Sequence, residues 1–565
     1  MARRFFAGVA LCLAVNGCTN RANVSAQPEV AVSIGPSKMA EGILFTDVAK
    51  SSGLDYVWPK QKRPMRNLEA FGKGCAFLDY DNDGFQDILL VAEPSVKLYR
   101  NLGNGRFEDV SATVGLDQIK GPWTGVAVGD YNGDGYLDLA LTGFHRLALL
   151  KNDAGTRFVD DTAAAGFDPN NHGHWGSSAG FMDLTGKGTL DLVILNYVIF
   201  GPQENQYCEL RPGVVSGCPP SKYKPEFCEL WQNLGNGKFK DVTAKSGMGE
   251  THGKGLVLAF ADVDDCGRPD FYIGNDGTPA ELMRNQGNLK FKNTGEASGV
   301  AFDNIPGHAM AAMGADWADY DRDGKLDLAV PGFSDETYAV FHSDGGGLFQ
   351  HVSEALGITG PTLKPLGFGT KWLDMDNDGW PDLVFTNGHV YDNAELIDPL
   401  NTYRQPLMLF HNVLGKQLLD LVPKMGGEVA KPLVGRGLAT GDFDNDGRID
   451  ILVVDFEGPV VLLHNMSKTQ GHWITLDLKG RASNRFAYGA RVTAKAGKDV
   501  WVGTVSPTSS YLSSSDPRVH FGLGAISKLE SVAVRWPSGK TELLRNVAAD
   551  QILRIQEGAV VKDGR

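Results

Sequence analysis

The chain has 565 residues, of which 42% are hydrophobic and 22% charged, with 70 glycines and a net charge of -14. That length exceeds what one compact core usually holds, and the composition excludes a disordered or collagenous chain. The glycines imply tight turns and short strands, while the acidic balance argues against nucleic acid or an anionic membrane surface and points to cations.

Arg3 and Arg4 precede an apolar run at 5–15, which is followed by Asn16, Gly17 and Cys18. The pattern predicts a signal peptide over 1–17, too short to span a bilayer as a mature helix. Residues 15–18 resemble a bacterial lipobox with an atypical Asn16, which makes Cys18 the expected lipid-bearing residue and plain signal cleavage the alternative. Polar residues 18–41 read as a flexible tether. The chain is therefore expected to be exported, as an outer-membrane lipoprotein or a periplasmic or extracellular protein. Membrane contact is expected only through lipid on Cys18.

One nonapeptide with Asp at its first and ninth positions then recurs at 79–87, 130–138, 183–191, 262–270, 319–327, 374–382 and 442–450. The spacing suits one four-stranded propeller blade per copy. Between copies lies a hairpin signature, as at 98–110 and 230–242, in which two alternating strands flank an Asn-Gly turn. The outer strand of that hairpin also occurs at 45–48, ahead of the first copy, whereas none follows 462–465. These features predict an all-β, seven-bladed propeller over 42–466, closed by the 45–48 strand and so free of an open sheet edge.

Acids at positions 1, 3, 5 and 9 with Gly at position 6 place hard oxygen ligands around one point, as Ca²⁺ requires. An EF-hand is rejected because each loop lies between strand-like runs. Five copies carry complete sets: Asp79, Asp81, Asp83 and Asp87; Asp130, Asn132, Asp134 and Asp138; Asp319, Asp321, Asp323 and Asp327; Asp374, Asp376, Asp378 and Asp382; and Asp442, Asp444, Asp446 and Asp450. About five calcium ions are expected. In the third copy Thr185 and Lys187 replace acids, and the lysine ammonium is expected to stand in for the ion between Asp183 and Asp191. In the fourth, Cys266 is a poor ligand for a hard cation, which leaves Asp262, Asp264 and Asp270 an incomplete set.

These loops, with the Asn-Gly-His-Val stretch at 387–390 and residues 436–442, resemble the FG-GAP or VCBS propellers related to integrin α-subunit heads. The tail, with the serine-rich 509–524 and the Arg-Trp-Pro-Ser-Gly-Lys stretch at 535–540, resembles the ASPIC/UnbV domain. Together they are similar to the cartilage acidic protein family, which implies a secreted, calcium-binding protein; bacterial members of that family mostly have no assigned activity. The Lys187 and Cys266 loops depart from its pattern.

Export permits disulfides, and Cys208 with Cys218 is the favoured pair, with Cys218 and Cys228 as the alternative. From about residue 470 to 558 the acidic loops stop and alternation continues, predicting a small, sandwich-like β domain with a short tail at 559–565. Its serine-rich loop at 506–515 is either a ligand loop or a solvated one.

No nucleophile elbow, phosphate loop, HExxH motif or dinucleotide fingerprint is present. His172, His174, His252 and His308 each precede an acidic loop, and His389 follows a second strand, so the five are expected at the propeller mouth opposite the loops. They are the candidate catalytic residues or transition-metal ligands. The sequence supports a binding or adhesion module for an extracellular protein or glycan, with a hydrolase or lyase acting on glycans or another exported substrate as the alternative.

Overall fold

The computed structural model describes residues 42–204, 206–251, 253–305, 307–468 and 471–559. The expected signal peptide, Cys18, the tether and residues 560–565 lie outside them. Seven blades of four antiparallel strands follow one another along the chain, the first of them extended to a six-stranded sheet. Their innermost strands are Cys75–Leu78, Trp123–Gly129, Gly176–Met182, Gly255–Ala261, Asp316–Ala318, Gly367–Leu373 and Gly435–Gly441, and each contacts the next. The last of these also contacts the first, which closes the ring of a β-propeller. We number these sheets blades 1 to 7.

The second strand of each blade starts on the ninth residue of its acidic repeat, as in Asp87–Leu90 and Asp382–Asn387. Runs such as Ile88 to Val91 are fully buried because both faces of a blade pack against neighbouring blades. Blade 7 takes its outer strand, Phe45–Asp47, from the start of the described chain, with Phe45 opposite Asn465.

The C-terminal domain has a three-stranded sheet of His472–Lys479, Val519–Gly524 and Gln551–Gln556, and a four-stranded sheet of Arg491–Ala496, Asp499–Thr504, Lys528–Arg535 and Thr541–Ala548. Ile474, Leu476, Val492, Val532, Val534 and Ile555 lie in one core that runs on into blades 1 to 4.

The serine-rich loop is buried rather than solvated. Its hairpin, Thr508–Ser509 with Ser513–Ser514, extends the sheet of blade 1 and occupies the propeller axis. Backbone bonds run from Val126 N to Leu512 O, from Ser510 N to Ala315 O and from Asp516 N to Thr440 O. Serine hydroxyls accept from the N–H groups of Cys75, Thr370 and Thr440. At Gly74 a Cβ would lie 1.8 Å from the Leu512 carbonyl oxygen, so only glycine lets the plug through. Tyr511 is buried at the tip, against Phe71 and Phe368, and donates to the Phe71 carbonyl at 2.7 Å. Inner strands of a propeller leave backbone groups facing the axis, and this hairpin satisfies them.

Candidate functional site

The seven acidic loops share one backbone. Position 4 has positive φ in every copy (61° at Asn82, 58° at Asn377), as does the glycine at position 6 (93° at Gly84, 96° at Gly379). Those two left-handed residues turn the chain around the first carboxylate. Asp79 accepts from Asp83 N and Gly84 N at 3.0 Å each, and Asp374 accepts from Asp378 N at 3.1 Å and Gly379 N at 2.8 Å. The ninth-position acids are fully buried. Each accepts from the third strand of its blade, as Asp87 does from Asn101 N at 2.7 Å.

That third-strand asparagine carries a role the sequence reading missed. Its amide reaches the preceding blade's loop: Asn152 donates to Tyr80 O, Asn233 to Tyr131 O, Asn285 to Leu184 O, Asn412 to Tyr320 O, Asn465 to Met375 O, and Asn101 to Phe443 O across the closure. Only blade 5 differs, with Ser343 at this position. The recurrence of Asn at the end of each hairpin's first strand was the available signal.

Burial leaves these carboxylates poorly compensated. It pushes Asp79 and Asp130 up to about 6, Asp442 to about 7 and Asp319 to about 8, with neighbouring acids of the same loops adding to the shift. Asp81, Asp319 and Asp444 each keep a buried carboxylate oxygen that makes no hydrogen bond. Such oxygens are ready ligands for a hard cation, and the complete sets fit calcium on that ground.

Two loops deviate. The backbone N–H of Lys187 donates to Asp183, but its side chain is exposed and, among the described residues, forms no ion pair with Asp183 or Asp191. The expected stand-in by its ammonium is therefore not what the fold adopts, since water solvates the charge better than that half-buried loop does. In blade 4 two guanidinium groups enter the loop: Arg284 pairs with Asp264 and lies 3.2 Å from Asp270, and Arg535 of the C-terminal domain lies 2.5 Å from Asp262.

The C-terminal domain covers this same face. Arg491 donates to Gly324 O at 2.7 Å, His520 bonds Asn377 at 2.9 Å, and Arg518 joins Asp516, Asn445 and the Asp442 carbonyl. Arg322 stacks on Trp380 and on Trp501 of the C-terminal domain. The acidic loops thus lie at the junction of the two domains, loop 3 included, where Gly188 meets Ala482.

The opposite mouth holds an apolar cavity of about 280 Å³, lined among others by Phe71, Tyr197, Asp276, Phe333, Tyr391 and Tyr511. Asp276 accepts from the Tyr197 hydroxyl at 2.5 Å, and burial pushes it up to about 6. None of the four described candidate histidines, His172, His174, His308 and His389, lines this cavity. His172 and His174 are neighbours with ring centres 6.4 Å apart, but each faces its own carboxylate: Asp168 at 3.3 Å and Glu226 at 2.9 Å. His308 bonds Asp303 at 2.6 Å. His389 is buried, accepts from Tyr391 N, and is driven down to about 4 by burial. His252 lies outside the described residues. Cys208 and Cys218 form a disulfide whose second cysteine borders the cavity.

Fold and loops together define an FG-GAP-repeat propeller. The FG-GAP-like repeat model matches residues 79–141 and 262–330, and the ASPIC and UnbV model matches 480–562. The chain is homologous to cartilage acidic protein 1: it is 25% identical to the mouse protein over 517 residues, covering 86% of this chain and 73% of that one. The human protein is 24% identical over 519 residues, covering 86% and 71%. Human integrin alpha-7 is 27% identical over 201 residues, covering 32% of this chain and 16% of that one. Among the described residues no helix is long and apolar enough to cross a membrane.

Proposed function

We propose that this chain is an exported binding or adhesion module whose acidic loops hold calcium, and whose open mouth, opposite those loops, engages an extracellular protein or glycan. The observation that carries the reading is the common loop geometry, in which carboxylates converge beside the seam between the two domains and Asp81, Asp319 and Asp444 each keep a buried oxygen without a hydrogen bond. Calcium there neutralises acids that otherwise repel one another, so ion binding is also folding energy. The mouth suits recognition because it is concave and mostly apolar, with a few fixed polar groups such as Asp276.

The test is calcium counting combined with thermal unfolding. Excess chelator is expected to lower the thermal midpoint on the order of 10 °C, if each loop contributes about 2.7 kcal/mol at a hundredfold excess over Kd. Asp81→Ala is expected to lower bound calcium by about one ion per chain, whereas Asp183→Ala leaves it unchanged because positions 3 and 5 of that loop supply no acid. A melting curve indifferent to chelator would overturn the reading. The chelated chain is also expected to lose stability as pH rises from about 5 to 8. The native acids hold protons in that range that the unfolded chain has released, so ionising them in place disfavours the fold. Saturating calcium should flatten that slope.

A further inference from the structure

One position beside each loop divides the blades chemically. The residue just before the asparagine of the third strand is Arg100, Lys151, Gln232 and Arg284 in blades 1 to 4, and His342, His411 and His464 in blades 5 to 7, where Ser343 takes the asparagine's place in blade 5. Where it is arginine, the guanidinium settles onto the loop acids: Arg100 lies 2.7 Å from Asp81 and 3.2 Å from Asp83. Where it is histidine, a ring nitrogen arrives at the same place. His342 Nδ1 is 3.3 Å from both Asp321 and Asp327, His411 Nδ1 is 3.1 Å from Asp382, and His464 Nε2 is 3.1 Å from Asp444.

None of these three nitrogens makes a well-aligned hydrogen bond; each sits at ion-pairing distance from a carboxylate with its N–H direction off the line to the oxygen. His411 is only 7% exposed, so water does not supply the missing partner. A protonated imidazole held for charge pairing would aim an N–H along the line to an oxygen. A ring nitrogen that is misaligned for that bond yet lies within reach of several carboxylates is placed as a ligand. Asp321, Asp327 and His342 offer ligand atoms within 4.8 Å of one another, as do Asp376, Asp382 and His411, and Asp444, Asp446 and His464. Among the side chains found at this position, imidazole is the one with a lone pair suited to a borderline metal.

The geometry points to a division of metals around the ring: the loops of blades 5, 6 and 7 take a first-row divalent transition-metal ion, with His342, His411 and His464 as nitrogen ligands, in preference to calcium. This rests on the reading of the loops as cation sites and changes which ion three of them select. Mixed imidazole and carboxylate sets bind such ions more tightly than a hard, oxygen-seeking cation, whereas the loops of blades 1 and 2 offer oxygen alone beside a cationic neighbour, Arg100 or Lys151.

The experiment uses the full chain, stripped with chelator and dialysed against equal concentrations of Ca²⁺ and Zn²⁺, with elemental analysis of the retained ions. About three zinc ions per chain are expected. His342→Gln, His411→Gln and His464→Gln are each expected to remove about one zinc ion, while calcium stays level or rises. Arg100→His, a gain that misfolding cannot mimic, is expected to add about one. Zinc uptake that ignores all four substitutions overturns the proposal. Retention of calcium in these loops with no zinc overturns it while leaving the calcium reading intact, and retention of neither ion overturns both.

Discussion

The two faces of the propeller are built on opposite plans. On the loop face every blade repeats one turn, with the same capped first acid, the same buried ninth acid and nearly the same inter-blade amide, and a second domain packs against it. On the mouth face the blade ends share a glycine pairing but the connections differ: blade 3 contributes a disulfide-closed hairpin, blade 6 a histidine locked neutral, and the residues before blade 1 a short helix, Asn67–Ala70. Arg436, fully buried, gathers that side by donating to the carbonyls of Ala70, Gly388 and His389. Repetition on one face holds the ring together, which frees the other to vary.

That contrast can be broken most sharply where both faces meet. Tyr511 comes from the C-terminal domain yet lines the mouth, so Tyr511→Ala is expected to cost about 3–5 kcal/mol and to open the cavity floor. Chemical denaturation would measure the loss, and a cost under about 1 kcal/mol would show that the plug is a passenger. On the loop face, Asn412→Ala removes a buried amide and strands the Tyr320 carbonyl, at about 1–3 kcal/mol, whereas Ser343→Ala in blade 5 is expected to cost under about 1 kcal/mol because no inter-blade bond starts there. Equal costs would mean that the amides are incidental to the ring.

A modest effect is expected at Glu557. This buried carboxylate accepts from the N–H groups of Arg481, Ala482 and Ser483 at 2.8 Å each, fixing a turn that packs on Gly188 of the blade 3 loop. Burial alone would raise it, but those N–H groups and the Ser538 hydroxyl hold it down at about 2. Because the folded value lies below the unfolded one, its stabilisation is complete above about pH 4.5 and fades toward pH 2. Glu557→Gln is expected to remove about 1–2 kcal/mol at neutral pH and to weaken the acid dependence of unfolding, which melts across that range would detect.

Much of the loop face was legible because its chemistry is local. Nine residues contain the turn, the glycine and the acids, so each repeat announces itself, and the strand at 45–48 could be matched to a missing hairpin arm. The histidines beside the loops were not legible in the same way. Each lies 15 to 35 residues from its acids, and only the register of the third strand brings it back. The plug was harder still, since serines that satisfy axial backbone groups have the composition of a solvated loop. The residues at the mouth shared an offset in sequence, but connections of unequal length set them down beside different carboxylates.

The axial hairpin has one more consequence, for the order in which the molecule can form. Phe45 must wait for residues 461–465 before its sheet exists, and the axis cannot be filled until residues 508–516 have been made. The propeller is therefore fastened from both directions: no early portion of the chain reaches its final packing alone, and removing the C-terminal domain would leave a hollow ring rather than a shorter protein.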